Sequence, residues 1–168
     1  MEYGFLGNTG LQVSDMCLGT MQFLWTTDEP NSFAVLNAFV EAGGNFVDTA
    51  DVYSRWADGC KGGEAETVIG KYRRNQPPPD SKRFGSVQKV LSDRNFDLLD
   101  KIEEIARSRN KTAAQISLGW ILAKPNVAAP IIGANNVEQL KDSLGATGLK
   151  LNEEEMSVLD KMSEWKSQ

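Results

Sequence analysis

Two short apolar runs joined by one amphipathic stretch constrain this chain more than any other feature. Residues 16–21, Met-Cys-Leu-Gly-Thr-Met, are short and nearly continuously apolar, the pattern of a buried strand. Asp28 or Asn31 can cap a helix that carries Phe33, Leu36, Phe39 and Val40 on one face and ends at Gly43-Gly44. Residues 46–50 then supply a second strand. Strand, helix and strand with a short return make a βαβ unit, so the two strands are expected to lie parallel.

The rest of the chain extends the same α/β pattern. Residues 1–5 and 11–13 flank Gly7-Asn8-Thr9-Gly10, the signature of a short hairpin. A helix is expected over 64–72, followed by Arg73-Arg74-Asn75-Gln76-Pro77-Pro78-Pro79-Asp80, where three prolines favour an extended connecting loop over a proline-motif ligand. Leu98, Leu99, Ile102, Ile105 and Ala106 fall on one helical face. Thr112 and Gln115 form a capping box that opens another helix, with Ile116 and Trp120 inward and Pro125 beyond its end. Residues 127–133 read as a third strand. Asn136 to Gln139 is a second capping-box-like start, leading to Leu140 and Leu144. Asn152 and three glutamates open the last helix, where the macrodipole favours acids, with Met156, Leu159 and Met162 inward. The count is three strands beyond the hairpin and about six helices.

Composition excludes several function classes. A chain of 168 residues supports one core, and 40% hydrophobic with 24% charged residues describes a soluble globular protein. A formal charge of −5 without a Lys/Arg stripe argues against a nucleic-acid partner. No apolar run approaches the roughly 18 residues of a membrane span, and no signal peptide opens the chain, so a cytoplasmic location is expected. Cys17 and Cys60 stand far apart and read as reduced thiols. With no histidine and no clustered cysteine, no metal site is expected.

Chemistry concentrates in Asn45-Phe46-Val47-Asp48-Thr49-Ala50-Asp51-Val52-Tyr53-Ser54. This run resembles the strand and loop of the aldo-keto reductases that carry a catalytic Asp and Tyr. The opening Gly7-Asn8-Thr9-Gly10-Leu11-Gln12-Val13-Ser14, then Leu18-Gly19-Thr20-Met21, Gly63-Glu64-Ala65-Glu66 and Ile69-Gly70, resemble the start of a bacterial-type member. Gly70-Lys71-Tyr72-Arg73-Arg74 is similar to a segment that follows the family's seventh strand. The match continues through Gln115-Ile116-Ser117-Leu118-Gly119-Trp120, Pro130-Ile131-Ile132-Gly133-Ala134, Gln139-Leu140 and residues 151–159. The resemblance thus covers nearly the whole chain as one domain, 1–168, and skips the middle of a (β/α)8 barrel at a seam near 69–72. A complete barrel takes about 250 residues and at least about 200. A partial barrel is therefore implied, a contiguous parallel sector of the family's strands 8-1-2 with helices outside.

The resemblance implies NADP(H)-dependent carbonyl reduction of small aldehydes or ketones by a tetrad of Asp, Tyr, Lys and His. Tyr53 takes the place of the acid and Asp48 that of the carboxylate; the Lys and His belong to the missing strands. An unassisted tyrosine has a pKa near 10, and general acid–base help is worth about 10²–10⁴ in rate, so impaired activity is implied. Lys61, Lys71 and Arg55 are candidate substitute partners for Asp48. By the same resemblance Gly19, Thr20, Met21, Ile132, Gly133, Ala134, Asn135, Gln139 and Ser143 belong to the cofactor site, with the adenosine phosphate at a helix N-terminus. The family often has a basic residue where Asn135 stands and an Asn where Ser143 stands, which leaves NADP against NAD open. An alternative reading is a non-catalytic nucleotide-binding or oligomerising remnant of the family, and a third is a gene-model or splicing artefact. An open three-stranded sheet has unpaired edges and an uncovered former interior, so a homodimer through that face is expected.

Overall fold

The computed structural model describes residues 1–72 and 93–164, with side chains for 1–69 and 97–164. The proline-rich run at 73–80 and the side chain of Lys71 lie outside the described residues.

The N-terminal hairpin pairs β1 (Tyr3–Phe5) antiparallel with β2 (Gln12–Ser14). Gly7 and Gly10 take positive φ in its turn, a conformation that suits residues without a Cβ. Asn45 moors the hairpin to the next unit, accepting from the Ser14 N–H at 2.7 Å and donating to the Gln12 carbonyl at 3.0 Å.

The βαβ unit is formed by β3 (Cys17–Gly19), α1 (Glu29–Glu41) and β4 (Val47–Asp48). The two strands are parallel, with Leu18 opposite Val47 and Gly19 opposite Asp48. Asp28 is the cap: its carboxylate accepts from the Asn31 N–H at 2.8 Å, and a proline sits in the first turn. The buried face of α1 is Ser32, Val35, Leu36 and Phe39, which differs from expectation at one position. Val40 is 53% exposed. At about 100° per residue, Phe33 and Val40 fall on the same flank of that stripe, two turns apart, and of the two only Phe33 packs against the main core.

The third parallel strand, β5 (Ile131–Ile132), pairs with β3 on its other side, giving the order β4-β3-β5. This is the expected sector with the first family strand in the middle, and the described residues form no closed barrel. Each strand is shorter than its apolar run suggests: 17–19 within 16–21, 47–48 within 46–50, and 131–132 within 127–133. A ladder extends only where a neighbour pairs with it, and both outer strands here have a neighbour on one side alone.

The remaining helices are α2 (Glu64–Tyr72), α3 (Asp93–Arg109), α4 (Ala113–Leu122), α5 (Val137–Leu144) and α6 (Glu153–Ser163). One core joins the sheet to its helices through Met16, Leu18, Val35, Phe39, Ile132 and Leu140. A second, between α3, α4 and α6, centres on Ile105, Ala106, Ile116 and Leu159. Within α3, Leu98 and Ile102 pack against that cluster while Leu99 is 42% exposed, a correction to the expected face. The capping box expected at Thr112/Gln115 of α4 forms. The box-like start of α5 forms only its Asn136 half, because the Gln139 side chain bonds the Asn135 N–H instead of that of the cap residue, and a full box forms at Asn152/Glu155 of α6. Trp120 is half-buried; its indole N–H donates to Asp160 at 2.6 Å and Lys124 lies over its ring. Arg109 ties α3 to α6 by two bonds to Glu155, at 2.7 and 2.5 Å, and a third to the Lys150 carbonyl at 3.1 Å.

Candidate active site

Three parallel strands point their C-terminal ends the same way, so the loops after β3, β4 and β5 gather at one end of the sheet. Asp48 is the last residue of β4, and the chain then turns through Ala50 and Tyr53, whose N–H donates to the Ala50 carbonyl at 3.1 Å. Ser54 follows with φ +68°, fully buried, its hydroxyl donating to the Phe23 carbonyl at 3.3 Å. That anchor aims Tyr53 back toward the strand. The Tyr53 phenol donates to Asp48 Oδ2 at 2.7 Å. Thr20 at the end of β3 holds the same strand end, its hydroxyl donating to the Asp48 carbonyl at 2.8 Å.

The electrostatics follow from this contact. Asp48 holds the Tyr53 phenol above its ordinary pKa, first by accepting its hydrogen bond, then with help from burial and the carboxylate's charge. Cys17, buried on the neighbouring strand, is pushed up to about 11, first by burial and then by the charge of Asp48. Among the described residues no Lys or Arg pairs with Asp48. Arg55 and Lys61 are both exposed and make no such bridge.

The residues expected at the cofactor end also converge. Gly19, Thr20 and Met21 close β3 and open its loop, while Ile132, Gly133, Ala134 and Asn135 lead from β5 into α5. Gln139 and Ser143 lie one turn apart on one face of α5. The Asn136 side chain caps α5 by accepting from the Gln139 N–H at 2.9 Å, and the Gln139 side chain accepts from the Asn135 N–H at 2.8 Å. Asn135 Oδ1 takes two hydroxyls, Thr26 at 2.8 Å and Thr27 at 2.7 Å. Gln22 donates to both the Gly19 carbonyl at 3.0 Å and the Ala134 carbonyl at 3.1 Å, stapling the ends of β3 and β5. Gln22, Thr26 and Thr27 were not singled out by their sequence. A polar residue in a loop carries no signal of its partner until the fold brings that partner near.

As a fit to a dinucleotide phosphate, this end offers neutral donors at a helix N-terminus, in the side-chain amides of Asn135 and Gln139 and the first-turn N–H groups. Among the described residues it offers no cation there, and Glu138 places a negative charge in the same turn. The fit is to a phosphate held by hydrogen bonds rather than by an ion pair.

Comparison with known proteins places the family and the fold. The sequence pattern of the aldo/keto reductase family matches residues 15–90 and again 71–164. The chain is 51% identical over 72 residues to an uncharacterised 11.2 kDa protein of Pseudescherichia vulneris, covering 43% of this chain and 70% of that one. It is 34% identical over 84 residues to the aldo-keto reductase yakc [NADP(+)] of Schizosaccharomyces pombe, covering 50% and 22%. Of several further aldo-keto reductase and dehydrogenase relatives it matches, the chain spans 17% to 29% of the length. A solved thermostable aldo-keto reductase, Tm1743, superposes with a TM-score of 0.64 at 21% identity, over 97% of this chain and 100% of that one, a likeness of fold. With the family pattern matched across both halves and the fold shared, this chain belongs to the aldo/keto reductase family of oxidoreductases.

Proposed function

We propose that this chain is a shortened aldo-keto reductase that uses NADP(H) to reduce small aldehydes or ketones slowly, with Tyr53 as proton donor and Asp48 as its partner. The observation that carries the reading is the 2.7 Å Tyr53–Asp48 hydrogen bond at the C-terminal ends of parallel strands, where barrel enzymes gather their chemistry. NADP(H), when bound, supplies the hydride. Asn135 and Gln139 are the residues that would hold its adenosine phosphate, and the NADP(+) in the name of the Schizosaccharomyces pombe relative supports the choice of NADP(H).

A carbonyl oxygen must displace Asp48 as the acceptor of the Tyr53 hydrogen. Tyr53 then passes its proton to that oxygen, and the tyrosinate left behind recovers one from solvent. Both halves of this are hindered here. The carboxylate stabilises the phenol against deprotonation, and no cation among the described residues offsets it. A loss of about 10²–10⁴ in rate relative to an assisted acid is the expected scale. The raised Tyr53 pKa also favours a second reading, a non-catalytic nucleotide-binding or oligomerising remnant.

Titration with NADPH and NADH, followed by nicotinamide fluorescence and then by cofactor oxidation with a generic aldehyde, tests the reading. Turnover that is lost in Tyr53→Phe supports the enzyme. Binding without turnover moves the assignment to the second reading, and no binding of either nucleotide refutes both cofactor claims.

Three further parts belong to the same reading. Residues 1–168 form one domain joined near 69–72, supported by the two overlapping family matches. Two copies meet across the open sheet, supported by the single-sided pairing of β4 and β5 and by Ile131, 61% exposed on that sheet. Sedimentation that gives a well-folded monomer refutes the dimer. A cytoplasmic location is supported by two cysteines that remain free thiols. None of the helices among the described residues is long and apolar enough to cross a membrane.

A further inference from the structure

The geometry points to a binding site for a small organic cation, an ammonium or guanidinium group on a short alkyl chain, in the open pocket beside Asp48. The pocket lies over the side of the sheet turned away from the main core and measures about 540 Å³, within the usual range for small ligands. Leu6, Cys17, Phe46, Ala129 and Ile131 give it apolar walls, and Asp48 is the one charged side chain among the described residues that line it. Ile131 is 61% exposed here, so the wall gains by being covered.

Asp48 has the capacity for such a ligand. Tyr53 occupies one bond on Oδ2, a carboxylate accepts about four, and no Lys or Arg among the described residues neutralises it. A carboxylate set in apolar surroundings without a counter-ion is the arrangement most improved by an incoming cation. An anion would meet that charge directly, and a neutral apolar molecule would leave it uncompensated. The titratable neighbours agree: Cys17 and Tyr53 are both held protonated, each in part by the charge of Asp48. The net charge of −5 adds a general attraction for cations. The inference goes beyond the proposed reductase activity and holds with or without cofactor binding.

The test uses the whole chain labelled with ¹³Cζ-tyrosine, which has three tyrosines, Tyr3, Tyr53 and Tyr72, with the Tyr53 signal identified by its loss in Tyr53→Phe. The probe is n-butylguanidinium, which stays charged through the tyrosine titration. The Tyr53 signal is expected to shift saturably, with half-saturation on the order of 1 mM, as befits a ligand of this size. The midpoint of its pH titration is expected to fall by about one pH unit at saturation, as the added charge offsets that of Asp48. n-Butanol, which has the tail without the charge, and sodium chloride at equal ionic strength should do neither. Equal responses to these controls, or no saturable shift, overturn the site. Asp48→Asn should abolish the response, and a folded Asp48→Asn protein that keeps it also overturns the site; if that variant fails to fold, the n-butanol comparison decides alone. A basic side chain of a second copy carries the same chemistry. A Tyr53 midpoint that falls with protein concentration before any probe is added identifies that source of the cation.

Discussion

Replacing Gly44 by alanine isolates one contact on which the second parallel strand depends. Gly44 ends the α1 turn just before β4, and its N–H donates to the Phe39 carbonyl at 2.8 Å. A Cβ built there would lie 2.4 Å from Phe39 Cε1 and Cζ and 2.6 Å from Cδ1. Ordinary contact begins near 3.4 Å, so the ring would have to retreat by about 1 Å, and Phe39 is 0% exposed in the main core. Overpacking of this kind costs about 1–3 kcal/mol. The φ of Gly44 is not in the left-handed region, so alanine also removes unfolded-state freedom, which stabilises by about 0.4–1 kcal/mol. The net expectation is a loss of roughly 1–2 kcal/mol, or a fall in Tm of roughly 2–8 °C for a chain of this size. Urea unfolding followed by tryptophan fluorescence, with calorimetry at one fixed protein concentration, reads both quantities. Gly4→Ala is the control, since nothing lies within 4 Å of its added Cβ, and should stay within about 0.5 kcal/mol of the parent. Adding Phe39→Leu to Gly44→Ala should cost less than the two single changes summed, because the smaller side chain leaves room for the methyl. A Gly44→Ala protein as stable as the parent, or more stable, would refute the steric account.

Tyr53→Phe should lower stability by about 0.5–1 kcal/mol at neutral pH by removing the bond to Asp48. The folded pKa of Tyr53 lies above its unfolded value, so this contribution is complete below about pH 10 and disappears as pH rises through the folded value; urea midpoints of both proteins across that window check it. Arg109→Met should cost roughly 1–2 kcal/mol, since both partners of the bidentate pair with Glu155 are mostly shielded from solvent. Arg109 holds the Glu155 carboxyl below its ordinary range, so the contribution is present above that range and is lost on acidification, and the gap between variant and parent should close as pH falls. Asn135→Lys should favour NADPH over NADH by roughly fivefold in fluorescence titration at low salt, the scale of one added charge near water; an unchanged ratio would remove the 2′-phosphate from that position.

The local elements were legible because their determinants are local. Asp28, Thr112, Asn136 and Asn152 each cap the helix they precede, since a cap bonds within three residues of itself. The parallel βαβ unit follows from chain handedness and the short return at Gly43-Gly44. Asp48 and Tyr53 stand five residues apart in one run that carries its own family signature, so their proximity is local even though their bond is not written in the pattern.

What the sequence by itself determined is thus the class, the order of elements, the family and the position of the dyad residues Asp48 and Tyr53 in one run. Only the tertiary structure decided which apolar residues stay exposed, where each strand stops, and what surrounds the dyad. Val40 and Leu99 have the right periodicity for burial, yet among the described residues no neighbouring element covers them. Gln22, Thr26 and Thr27 found partners more than a hundred residues away, at Ala134 and Asn135, which no local pattern encodes. Asp48 is a carboxylate in any conformation. That it accepts the phenol on a sheet face whose pocket holds no other charged side chain among the described residues depends on packing, because a charge's consequences are set by its neighbours and by the water they exclude.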